Sequence, residues 1–207
     1  MKLGEIKLQA LMLIFPFDVI EYNEEAMEEL IYNLRGSTAY SPYLSASVGA
    51  INRAFSSIEQ KMLSGKSCLE LDIKNSTRHG EYRTLDLSSY EEILKINDVY
   101  LDGESVDFYM LTDSLLNVKC QRGQGKILIT YLKRLKRINF ATSNSYEIQL
   151  GGIEEAIPYF IKSDLLLGER PDEATVARNI YEGMLEEYLA KNGDKAIFQT
   201  VYSIGRL

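Results

Sequence analysis

A chain of 207 residues, 45% hydrophobic and 26% charged, buries roughly 70% of its unfolded surface and folds without the help of a metal or disulfide. Its net charge of −7, from 30 acids and 23 bases, speaks against a protein whose main work is wrapping nucleic acid, because such proteins carry a basic balance. Cys68 and Cys120 make no CxxC pair and no disulfide framework, which points to a reducing compartment. The charge is uneven: residues 1–64 hold five bases and eight acids, residues 65–137 twelve and eleven, and residues 138–207 six and eleven.

Glu5 to Phe15 predicts a helix that ends at Pro16, since proline disfavours helix in the residue before it. Its apolar stretch, Leu8 to Phe17, follows Lys2 and Lys7 as in a signal peptide. No small-residue cleavage site comes after it, and about ten residues are too few to span a bilayer. A buried helix is expected. Asn23 is the expected cap of a second helix, with Glu24 and Glu25 in its first turn and Gly36 past its end. The third helix has the cleanest signal: Ser41 as cap, Pro42 at the first helical position, then Leu44, Val48, Ile51, Phe55, Ile58 and Met62 along one face. Ala46, Ala50 and Ala54 beside that face permit close packing.

The period then changes to two. Leu69, Leu71 and Ile73 alternate with polar residues, and Tyr82 to Leu87 reads as another strand. Ile96–Leu101 and Ser105–Leu111 flank Asp102-Gly103, a strong hairpin signal. Leu115–Cys120 and Lys126–Ile138 complete five or six strands, enough for a small antiparallel sandwich or barrel. Helix returns after Gly151-Gly152, with Ile153, Ala156, Ile157, Phe160, Ile161, Leu165 and Leu166 on a broad apolar face. Pro171 opens a last helix with Val176, Ile180, Met184 and Tyr188 as its main stripe, widened by Ala177, Tyr181 and Leu185. The tail contains Ile197, Phe198, Thr200, Val201 and Tyr202, a β-prone run with no obvious partner inside the chain. The expectation is one α+β domain over residues 1–207: helical over 1–64, a β-rich insertion over 65–138, helical again over 151–193, and an extended tail over 194–207.

Catalytic patterns fail one by one. His79 is the single histidine, which excludes sites needing two imidazoles, and its polar turn predicts a solvated side chain. Gly65-Lys66-Ser67 imitates a phosphate-binding loop, but the first glycine of that pattern falls on Gln60, and a helix rather than a strand precedes it. Gly123-Gln124-Gly125-Lys126 lacks the third glycine of a dinucleotide site and reads as a hairpin loop. Paired acids such as Glu154-Glu155 and Glu186-Glu187 fit solvated helix faces. No cofactor, no metal and no enzymatic activity are expected. Lys133, Arg134, Lys136 and Arg137 form the basic cluster. Placed on a strand, Lys133 and Arg137 share one face and Arg134 and Lys136 the other. The cluster either meets DNA phosphates or an acidic partner, or protects an exposed strand end from edge pairing. Fourteen tyrosines and no tryptophan also suit interfaces, where a large ring keeps a polar end.

Three stretches carry a family resemblance. Ile127-Leu128-Ile129-Thr130-Tyr131-Leu132-Lys133-Arg134 looks like a last sandwich strand, aromatic and then basic. Glu154-Glu155-Ala156-Ile157-Pro158-Tyr159-Phe160-Ile161-Lys162-Ser163-Asp164-Leu165 looks like a return helix. Glu169-Arg170-Pro171-Asp172-Glu173-Ala174 to Tyr181 looks like an acidic turn and final helix. In these stretches and in the order of elements the chain resembles the head-to-tail connector proteins of tailed bacteriophages, also called adaptor, head-completion or tail tubular proteins. Some members carry a proline after the basic strand; Leu135-Lys136-Arg137-Ile138 has none. The resemblance implies an α-helical bundle from both chain ends with an inserted antiparallel β-sandwich. It implies a homo-oligomeric ring, a dodecamer, between the portal protein and neighbouring tail or connector proteins. DNA then passes through the channel without sequence recognition. The protein is made in the host bacterial cytoplasm and placed in the virion, with no membrane partner. The tail residues Ile197, Phe198, Thr200, Val201 and Tyr202 are then the portal contact. A tail terminator or head-binding factor is the alternative of the same class.

Overall fold

The computed structural model describes residues 1–16, 26–61, 66–90, 92–192 and 198–202. Helix accounts for 45% and strand for 26% of the chain, segregated along it rather than alternating, and the strands form two sheets, which makes the fold α+β. The chain divides into two compact units. One combines residues 1–63 with 137–195; the other combines 64–136 with 196–207.

The first unit is helical: α1 (Leu3–Ile14), α2 (Met27–Arg35), α3 (Ser41–Gln60), α4 (Ile157–Leu166, preceded by a 3-10 turn over Ile153–Ala156) and α5 (Pro171–Asn192). Helix α1 is buried on nearly every side through Leu3, Ile6, Leu8, Ala10, Leu11 and Ile14. Its neighbours explain this, because α2, α3 and α4 all pack on it. Its start is held by the returning chain. Leu3 N–H donates to Tyr146 C=O and Gly4 N–H to Asn144 C=O, both at 2.8 Å. The Glu5 carboxylate accepts from the Lys2 N–H at 2.7 Å, the reciprocal half of a capping box. Gly4 has no room for a side chain: a Cβ there would lie 2.5 Å from the Met27 sulfur of α2.

Helix α2 begins at Met27 with Ala26 at its cap position. The expected cap Asn23 and its Glu24-Glu25 turn lie outside the described residues, and Glu28 and Glu29 occupy the first turn instead. Helix α3 carries the expected face: Leu44, Val48, Ile51, Phe55 and Ile58 are buried, as are Ala50 and Ala54. Ala46 is exposed, and Met62 lies outside the described residues. Ser41 is the first helical residue rather than the cap, a shift of one position.

Helix α5 departs from the expected orientation. Val176 is 60% and Ile180 42% exposed, while Ala174, Ala177, Tyr181 and Leu185 are buried. The inward face is the one with small residues, which lets α5 approach α4 closely, with Tyr181 filling the gap. Its ring meets Phe160 edge-on, with centroids 5.0 Å apart.

The second unit holds the strands. One sheet has the order β5 (Glu104–Ser105), β4 (Ile93–Leu101), β8 (Lys126–Lys133), β1 (Lys66–Asp72), β9 (Phe198–Tyr202). The other has the order β2 (Thr77–His79), β3 (Tyr82–Asp86), β7 (Leu115–Lys119), β6 (Phe108–Thr112). All pairings are antiparallel except β1 with β9, which is parallel. Leu69, Val99, Ile127, Ile129 and Tyr131 of the first sheet share one apolar cluster with Leu85, Leu116 and Val118 of the second. Two sheets over one core follow from the period-two pattern, since each strand has one face to bury.

Three strand expectations are corrected. Asp102 (φ 50°) and Gly103 (φ 89°) make the expected tight turn, with both central residues at positive φ. The hairpin it closes is short: Tyr100 pairs with Ser105 and Leu101 with Glu104, and Val106 N–H donates to Val99 C=O at 3.0 Å. The chain then crosses to the other sheet, so Ser105–Leu111 is not one strand. Ile73 sits in a 3-10 turn and not in β1. Strand β8 stops at Lys133, opposite Ile93, one residue past the Leu132 that faces Lys66 at the start of β1.

Gly125 sits at φ +141°, and a Cβ there would lie 2.7 Å from an Asp102 carboxylate oxygen and 3.0 Å from Leu101. Gly125→Ala is expected to lower stability by about 1–3 kcal/mol through strain at that corner. A urea midpoint equal to that of the parent chain would contradict this.

Candidate functional site

The basic cluster does not lie on one strand. Lys133 ends β8 and pairs with Glu92 at 2.9 Å. The residues from Arg134 to Ile138 have no regular structure, so the expected alternation of faces does not apply to them. Arg134 N–H donates to Glu92 C=O at 2.6 Å, and its side chain is exposed. Lys136 is exposed. Arg137 belongs to the helical unit. There its guanidinium pairs with Glu59 at 2.6 Å and donates to Asn52 C=O at 3.3 Å. Asn52 also clamps the next residue through two hydrogen bonds, to Ile138 C=O at 2.8 Å and from Ile138 N–H at 3.0 Å. Two of the four cations are therefore tied to carboxylates, and Arg137 anchors the returning chain to α3. Arg134 and Lys136 have no ion pair among the described residues.

The tail has a partner, contrary to expectation. Strand β9 lies parallel to β1, with Phe198 beside Lys66, Val201 beside Cys68 and Tyr202 beside Leu69. Strand β1 had one edge open after β8 took the other, and an uncharged β-prone run satisfies it. Thr200 lies within β9; Ile197 lies outside the described residues. Strand β9 is the terminal strand of its sheet, so its outer edge is where a further strand would add.

Other candidates stay apart. His79 is exposed in β2. Lys66 and Ser67 belong to β1; Gly65 lies outside the described residues. Gly123-Gln124-Gly125 is a loop before β8. Cys68 and Cys120 are buried and free, and burial pushes the Cys68 thiol up. Among the described residues no His, Cys, Asp and Glu side chains gather into a group able to hold a metal, and no helix is long and apolar enough to cross a membrane. Of the tyrosines, Tyr131 is in the β core and Tyr109 is exposed on β6. Tyr40 and Tyr43 meet Phe15 edge-on. The acid pair Glu154-Glu155 caps the return of helix: the Glu154 carboxylate accepts from the N–H of Leu150 (3.1 Å) and of Gly152 (2.9 Å).

Sequence reading missed a buried polar chain. Lys7, 3% exposed in the middle of α1, donates to Asn144 Oδ1 at 2.8 Å. Asn144 Nδ2 donates to Glu28 Oε2, also at 2.8 Å, and Ser143 Oγ donates to Glu28 Oε1 at 3.2 Å. The Asn144 hydrogen bond, chiefly, holds the Glu28 carboxyl below the usual carboxylate range. Burial, reinforced by the Arg35 charge and opposed by Glu28, lowers the Lys7 pKa from 10.5 to about 8. The available signal was a cation inside the apolar run of α1. It needed a partner from 137 residues away.

Because the folded pKa of about 8 lies below the unfolded 10.5, the unfolded chain binds more protons between those values. The penalty of charged Lys7 is present below about pH 8 and is relieved as pH rises toward 10.5. Stability is expected to rise by about 1–3 kcal/mol over that window from this group alone. Urea unfolding of the parent and of Lys7→Met at pH 7.5, 9 and 10 (about one pH unit or more apart) checks this. The parent should gain stability relative to Lys7→Met as pH rises, and parallel curves would contradict it.

No protein-family model matches this sequence, and no curated protein matches it.

Proposed function

We propose that the chain is a head-to-tail connector, or adaptor, of a tailed bacteriophage, forming a ring between portal and tail that retains DNA and lets it pass. The observation that carries the reading is the division of the chain. Residues 1–63 and 137–195 build one helical unit, and the sheets come from the segment between them and from residues 196–207. This favours a helical bundle assembled from both ends with an inserted β-sandwich, the organisation that the three resembling stretches imply. The role is mechanical. Identical subunits close a heterologous ring of twelve, and the portal and neighbouring tail proteins stack on it in the virion.

The tail supports portal docking in a modified form. Strand β9 caps the edge of its sheet, and a portal strand adds beyond it by β-augmentation. Arg134 and Lys136 face the DNA or an acidic neighbour. Deleting residues 196–207 is expected to abolish co-sedimentation with a portal ring while far-UV circular dichroism keeps the helical signal. A truncated chain that still binds portal sinks the tail assignment. A full-length chain that never binds portal sinks the connector reading.

A further inference from the structure

Among the described strands, the four-stranded sheet has two unpaired edges of unequal character. Strand β6 reads Phe108-Tyr109-Met110-Leu111-Thr112, without a charge, and Tyr109, Met110 and Leu111 are exposed. Edge strands are ordinarily blunted by lysine, proline or a bulge. Here the irregularity falls after Met110 and leaves Phe108 to Met110 regular. Lys119 N–H donates to Asp107 C=O at 2.8 Å, which makes Asp107 and Lys119 a hydrogen-bonded pair. By alternation Tyr109 and Asn117 are the next such pair, so Phe108 and Met110 turn their N–H and C=O groups away from β7. No described strand lies on that side.

Charge separates the edges. Asp107 and Asp113 bracket β6; the near base, Lys119, pairs with Asp107 at 3.5 Å, and Asp113 has no ion pair among the described residues. The opposite edge is β2, Thr77–His79, exposed throughout, with Arg78 at its centre. Arg83 lies across from Arg78 in β3, and Lys74 precedes the strand. Two acids lie nearby: Asp72, which Lys74 pairs at 3.0 Å, and Glu81 in the turn after His79. The balance at β2 remains basic.

We infer that β6 of one copy of this chain pairs with β2 of a second copy, extending the sheet from subunit to subunit. The direction fits. Each neighbour in the order β2, β3, β7, β6 is antiparallel, so a second copy in the same orientation offers β2 antiparallel to β6. The contact is heterologous, as a ring requires. Self-pairing of β6 about Met110 is disfavoured, because it sets Asp107 opposite the other copy's Asp113 and like charges across a ladder repel. The inference rests on the proposed reading of the chain as a ring subunit and names the surface by which it assembles.

Sedimentation velocity over a concentration series tests it with two variants, each first shown to keep the parent's circular dichroism and melting. Leu111→Lys blocks the β6 edge at a position 57% exposed; Arg78→Glu turns β2 against Asp107 and Asp113. Each variant alone is expected to raise the self-dissociation constant about tenfold or more. Mixed, they retain one intact contact, β6 of Arg78→Glu with β2 of Leu111→Lys, and associate at concentrations where each alone stays monomeric. Either variant assembling like the parent, a mixture that stays monomeric, or a parent that stays monomeric at every concentration overturns the inference. A parent that self-associates but ignores portal leaves this contact standing and removes the connector reading. Variants that assemble normally on the portal do the reverse.

Discussion

Ile129→Ala is expected to destabilise the β unit by about 2–5 kcal/mol, among the largest effects of any single substitution in the chain. Ile129 is fully buried in β8, the central strand of its sheet. It sits in one cross-strand row with Leu69 of β1 and Val99 of β4, both also buried. Leu116 and Val118 of the other sheet belong to the same cluster. Truncation removes three carbons from a site closed on all sides, and strands held by ladder hydrogen bonds relax little into the space. Ile129→Val, which deletes one methylene, should cost about 0.5–1.5 kcal/mol. Urea unfolding followed by tyrosine fluorescence measures both. A loss below about 1 kcal/mol for the alanine variant would mean that the two sheets do not share this core.

Tyr181→Ala is the second large effect, expected at about 3–5 kcal/mol. The ring is fully buried between α5 and α4. The Arg178 guanidinium lies 4.7 Å from the Phe160 centroid and 5.4 Å from that of Tyr181, and Arg178 also pairs with Glu182 at 3.2 Å. Losing the ring therefore opens a cavity and removes one of two aromatic faces from a cation. The control is Val176→Ala on the exposed side of the same helix, expected within about 0.5 kcal/mol of the parent. If Val176→Ala costs more than Tyr181→Ala, the orientation assigned to α5 is wrong.

That helix shows where sequence reading ran short. Periodicity located α5 and both of its bounds, since Pro171 and the Gly193 region mark them. It offered two adjacent stripes about 100° apart, and hydrophobicity favoured the wrong one. The inward face was decided by size: Ala174 and Ala177 permit close approach and Tyr181 occupies what remains. Helix α3 was legible because its face, Leu44 to Ile58, had no rival. Strand existence was equally plain, but pairing was not. Nothing local to Lys126–Ile138 says that β4 starts at Ile93 and β1 at Lys66, opposite the end of β8, or that Arg137 sits on α3 instead of in the sheet. The departure of the chain after Ser105 and the pairing of β9 with β1 are non-local in the same way.

The candidate sites followed the same rule. Residue types at Lys133–Arg137 announced a basic cluster. Only the fold shows that Glu92 and Glu59 occupy two of its members, and that Arg134 and Lys136 have no ion pair among the described residues. Lys7 was visible as a cation in an apolar helix and passed over, since its partner Asn144 lies 137 residues further along the chain. The β6 edge was hidden behind a hairpin expectation that gave Ser105–Leu111 to the wrong neighbour.

The measurement that bears most directly on the connector reading is molar mass by light scattering, for the chain alone and mixed with a portal ring. The account predicts a new species on the portal whose mass exceeds the portal's by a ring of copies, twelve by the resemblance. A mixture whose components elute at their separate masses at every ratio would contradict it.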